Sequence, residues 1–158
     1  MLEWLENTQA SAWIRNDLWG WPLALTFHAF GTALVISFIL IIGLRLFGFF
    51  NLIPYTSLKR LFPVIWAALV VQILSGFVLW ITKPTQYVAD GGFVLKFLLV
   101  VVGAILTLFF YRTIMREAAS WEARGGVSSR GVAFVAATLL VWCSVVIASR
   151  LIAHLGSI

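Results

Sequence analysis

The run WPLALTFHAFGTALVISFILIIGL, residues 21–44, contains one ionisable group, His28. As an α-helix it is about 36 Å long at 1.5 Å per residue, enough to cross a bilayer core of about 30 Å. It is too long and too uniformly apolar for the alternating strand of about 10 residues that builds an outer-membrane barrel. Three further runs of the same kind follow at about 61–81, 93–115 and 131–155. Pro22 and Pro63 fall in the first turns of the first two runs, where a missing backbone N–H costs nothing. Between the runs lie polar or turn-forming segments: 45–60 with Gly48, Asn51 and Pro54, 83–92 reading KPTQYVADGG, and 116–130 with Gly125 and Gly126.

Composition agrees with this reading. The chain has 158 residues, 62% hydrophobic and 11% charged, with a mean hydropathy of +1.03. Soluble domains run about 45–50% apolar and about 25% charged. These values exclude a soluble globular domain, a disordered tail and a disulfide scaffold. Four spans take up most of the chain, so residues 1–158 are expected to form a single integral-membrane domain. The expected fold is all-α: a four-transmembrane-helix bundle, up-down-up-down, with an N-terminal interfacial amphipathic helix. That last helix is read from residues 1–20. Their charges are Glu3, Glu6 and Asp17 against Arg15, unlike the positive start of a secretory signal. Trp4, Trp13, Trp19 and Trp21 cluster there, as aromatic side chains do at membrane–water boundaries.

The net charge of +5 does not imply nucleic acid as a partner, because the cations sit mainly between spans. They set orientation instead. The 45–60 and 116–130 side carries Arg45, Lys59, Arg60, Arg112, Arg116, Arg124 and Arg130, seven in all, against Arg15, Lys83, Lys96 and Arg150, four, on the other. The positive-inside bias predicts a bacterial inner (cytoplasmic) membrane protein with both termini periplasmic. The lone Cys143 excludes an internal disulfide and a cysteine-cluster metal site.

Ionisable groups inside a span are costly and mark function by default. Toward the termini end of the runs lie four: His28, Lys96, Arg150 and His154, with Arg112 at the loop end of the third. His28 lies about 10 Å into the first span and His154 about 35 Å from the start of the last, at 1.5 Å per residue. With both termini on one side, the two histidines share a leaflet, and Lys96 opens the third span in the same layer. Two imidazoles from different helices suit the axial positions of one b-type haem. His28 and His154 are the candidate metal ligands. Lys96 and Arg150 are candidates to neutralise propionates, with Gly31 and Gly76 leaving room for the ring and Trp80 at its rim. The competing reading is a histidine hydrogen-bonded across helices, with Lys96 and Arg150 reaching to the headgroups. Two histidines without a nearby acid do not supply the three or four ligands of a zinc site.

Short motifs add a resemblance. The run Ser11-Ala12-Trp13-Ile14-Arg15, then Trp21-Pro22 and His28 with Gly31, resembles an uncharacterised bacterial four-helix integral-membrane family. So do Gly43-Leu44-Arg45-Leu46-Phe47-Gly48 and Ser75-Gly76 with Tyr87, Phe93 and Lys96. More remotely the chain is similar to HemJ-type protoporphyrinogen oxidases, the copper-resistance D membrane domain and small b-type cytochromes. The HemJ resemblance implies haem held between His28 and Lys96. The cytochrome resemblance implies electron exchange with quinone.

The expected function is therefore a membrane b-type haem protein, with one haem b and a quinone as the second candidate cofactor. It would pass electrons between quinone and a redox protein partner, alone, as a homo-oligomer or as a subunit of a larger membrane complex. The alternatives are a HemJ-like enzyme oxidising porphyrin or quinone, and a cofactor-free structural or assembly subunit. Whether the protein is catalytic stays open at this level.

Overall fold

The computed structural model describes the backbone of residues 2–155 and side chains as far as Leu151. Helices α1 (Leu2–Glu6) and α2 (Gln9–Asn16) precede α3 (Gly20–Leu46). A 3₁₀ helix over Tyr55–Leu61 leads into α4 (Phe62–Trp80), followed by α5 (Pro84–Ala89), α6 (Gly91–Arg124) and α7 (Ser129–Leu155). No strand occurs among the described residues. Four helical segments, Gly20–Leu46, Tyr55–Trp80, Gly91–Arg124 and Ser129–Leu151, are long and apolar enough to cross a membrane. The fold is the expected all-α up-down bundle of a multi-pass membrane protein.

Three details differ from the sequence reading. The single N-terminal amphipathic helix is two short helices, broken at Asn7-Thr8, with the Thr8 side chain accepting the Ser11 N–H as an N-cap. That bond competes with continuation of α1 and starts a new helix. The 83–92 segment is not a plain loop, because Pro84 begins α5, and a first-turn proline is preset for helix. The third span continues nine residues beyond Met115, to Arg124. Hydropathy falls at Arg116, but Glu, Ala and Arg are good helix formers. The helix stops where Gly125 takes φ +66°, a left-handed C-terminal position that glycine adopts without a Cβ penalty.

The core sits toward the loop end of the bundle. It gathers Val35, Ile39 and Ile42 of α3, Phe62 and Ile65 of α4, Phe110 and Ile114 of α6, and Val135 and Trp142 of α7. α3 runs along α4, α6 along α7, and α3 touches α7. α4 meets α6 where Phe62 packs edge-on against Phe110 and Tyr111, and Trp66 against Tyr111, with centroids 5.9, 4.9 and 5.8 Å apart. Among the described residues α4 and α6 do not otherwise pack along one another. At the termini end, α1 and α2 lie over α5 and the end of α4. Ser11 Oγ donates to the Ile81 carbonyl (3.0 Å), Arg15 to the Thr82 carbonyl (3.4 Å), and Thr85 to Glu6 (2.7 Å). Arg15 also pairs with Glu6 at 3.8 Å. Trp4, Trp13 and Trp19 stay exposed on this layer, as an aromatic belt requires.

Candidate functional site

Each core stripe ends in polar residues as it approaches the termini. On α3, His28 lies seven residues before Val35; on α4, Gln72 lies seven after Ile65; both spacings keep one helix face. The imidazole of His28 is held from both sides by α4. Gln72 Nε2 lies 3.3 Å from His28 Nε2, and Ser75 Oγ lies 3.2 Å from His28 Nδ1. With the ring hydrogen on Nδ1, the imidazole donates to Ser75 and accepts from the Gln72 amide nitrogen at Nε2. Ser75 passes its own hydrogen to the Val71 carbonyl at 2.6 Å. Thr32 Oγ1 lies 2.7 Å from Gln72 Oε1 and 3.0 Å from the His28 carbonyl, which ties α3 to the same amide. No buried side-chain nitrogen or oxygen is left without a partner among the described residues.

The two site glycines have packing roles. A Cβ on Gly76 would stand 3.1 Å from His28 Cε1, so Gly76 makes room for the imidazole itself. A Cβ on Gly31 would stand 3.0 Å from the Gln72 nitrogen and 3.1 Å from the Ala68 carbonyl. Gly31 thus lets the backbones of α3 and α4 approach closely enough for the cluster to form, as small residues do between membrane helices. Beside the cluster, a shallow apolar groove of about 300 Å³ is lined by Ala24, Phe27, Val71, Leu74, Ser75 and Val78.

Lys96 is half-buried and lies within Coulombic reach of the His28 ring. It starts a stripe on α6 that continues through Gly103 and Thr107, both buried. Arg150 is exposed. Trp80 is half-buried, its ring tilted 30° to that of Phe77 one turn earlier at 5.9 Å. α7 carries His154 in its last turn, but the His154 side chain lies outside the described residues. Among the described residues no three His, Cys, Asp or Glu side chains gather into a metal-binding group.

Gln72 is the residue that the sequence reading left out of the site. Its signal was present: an amide in mid-span, on the face shared by Ile65 and Ser75. The same chain matches no family model, no curated protein and no solved structure.

Proposed function

We propose that this is a membrane-embedded haem b protein, with His28 as an axial ligand, carrying electrons between quinone and a redox partner. It acts on its own or as a subunit of a larger complex. The observation that carries the reading is the His28 ring clamped in mid-span, with Ser75 Oγ at Nδ1 and the Gln72 amide at Nε2. Ligating histidines donate their second ring N–H to an oxygen partner, which sets ring orientation and basicity. With Nδ1–H given to Ser75, Nε2 would keep the lone pair a metal needs. For a metal to reach Nε2, the buried Gln72 side chain must swing away and give up its contacts to His28 and Thr32. His154 or Lys96 would be the second residue to hold the iron; Lys96 would otherwise pair with anionic propionates. When bound, the haem supplies one-electron transfer, and the chain's residues hold it in a leaflet free of carboxylates. The cation bias of the loops supports a position for this layer near the periplasmic face of a bacterial inner membrane.

A second reading has its own observation. Both ring nitrogens of His28 already have partners on α4, which is what interhelical polar glue looks like. The protein is then a cofactor-free assembly subunit.

Titration of haem into the purified protein in detergent separates the two. The haem reading expects saturable binding, followed in the Soret region, with one haem per chain. His28→Ala should abolish it, whereas Ser75→Ala should retain binding with a shifted midpoint potential because the ring loses its orienting acceptor. Non-saturable uptake, equal in the wild type and His28→Ala, supports the cofactor-free reading.

A further inference from the structure

The connection after α3 is shaped by a buried cation. Arg45 is 6% exposed and has no carboxylate partner among the described residues. Its guanidinium donates to the Ile53 carbonyl, to Asn51 Oδ1 (3.4 Å) and to the Tyr55 hydroxyl (3.2 Å). It also lies 3.9 Å from the centroid of the Tyr55 ring. All these partners belong to one short segment, so Arg45 pins that segment from inside.

What the pinned loop presents outward is apolar. Leu52 is 99% exposed, Phe49 60% and Phe50 56%, with Phe47 exposed beside them. Phe50 holds φ +53°, a left-handed conformation that is a genuine outlier for a bulky residue. A loop in water gains nothing by clamping four large apolar side chains into the open. This loop begins where a membrane-length helix ends, and Lys59 and Arg60 follow it at the bundle's loop end.

We infer that residues 47–53 form an interfacial anchor. Phe47, Phe49, Phe50 and Leu52 enter the headgroup–acyl boundary of the leaflet at the loop end, and Lys59 and Arg60 face lipid phosphates above them. Apolar side chains below a basic rim are the chemistry of an anionic lipid surface. Arg45 is the positioning residue, because without it the loop loses its shared internal tie. The inference is independent of haem.

The test uses the full chain in vesicles of phosphatidylcholine, with and without phosphatidylglycerol. A spin label is placed by Leu52→Cys in a Cys143→Ala background, and a second by Gly126→Cys in the other loop. Dissolved oxygen should collide with the label at position 52 more often than a water-soluble nickel chelate does, the reverse of position 126. Adding Arg45→Leu should mobilise the label and lower the oxygen preference. Adding Lys59→Gln with Arg60→Gln should remove any extra depth gained from phosphatidylglycerol. A label at 52 that behaves like the one at 126 would place the loop in water and overturn the inference. So would a label shielded from both reagents, which would mean a second copy or another protein covers the loop. Depth that does not respond to phosphatidylglycerol would remove the lipid phosphates from it.

Discussion

Gly31→Val should push α3 off α4 and cost at least about 3 kcal/mol, the upper end for overpacking a well-packed interior. The obstacle sets the size. The first added atom meets the Gln72 nitrogen and Cα and the Ala68 carbonyl at 3.0–3.1 Å, and backbone atoms in a helix cannot turn aside as a side chain can. Any separation of the two helices also stretches the Thr32–Gln72 and Gln72–His28 bonds. Unfolding in mixed detergent micelles measures the cost. Gly91→Ala is the comparison, since nothing lies within 4 Å of its added Cβ. Equal stability of the two variants would mean that α3 and α4 do not touch at Gly31.

Trp142→Ala is expected to cost about 3–5 kcal/mol, the range for removing a fully buried large aromatic. Trp142 is 0% exposed. Its indole lies where a Cβ on Gly103 would stand 3.1 Å away, and its Nε1–H donates to Thr107 Oγ1 at 3.1 Å. Thr107 keeps its own bond to the Gly103 carbonyl, so the loss is one of packing rather than of a stranded polar group. In a bilayer, where burial from water no longer separates helix from lipid, such packing is what holds α6 to α7. Trp142→Phe retains much of the ring and should cost clearly less. An alanine variant within about 1 kcal/mol of wild type, well below the cavity range, would place Trp142 toward lipid.

The spans were legible because crossing a bilayer demands length and hydropathy, and both are local properties. WPLALTFHAFGTALVISFILIIGL needs no tertiary information to be read as a helix. Helix ends depend on other physics. α6 passes Met115 because nothing in REAASWEAR breaks a helix before Gly125. The break at Asn7-Thr8 turns on one side-chain cap, which competes with many equally good local alternatives. In the site, charge made His28 and Lys96 visible, since an ionisable group in lipid is conspicuous. Gln72 was not conspicuous, because a neutral amide costs less and its partner is fixed only once α3 is known to lie beside α4. The same holds for Gly76, whose role depends on a ring from another helix. Gly103 and Trp142 likewise reveal their fit only when α6 and α7 are neighbours.

If His28 ligates a haem, the visible spectrum of the protein as isolated from its membrane carries the signature. A Soret band is expected and, after dithionite, sharp α and β bands of a low-spin b-type haem, all lost in His28→Ala purified in the same way. A wild-type protein that is folded, helical and without absorption beyond its tryptophans would contradict it, as would a His28→Ala variant with an unaltered haem spectrum.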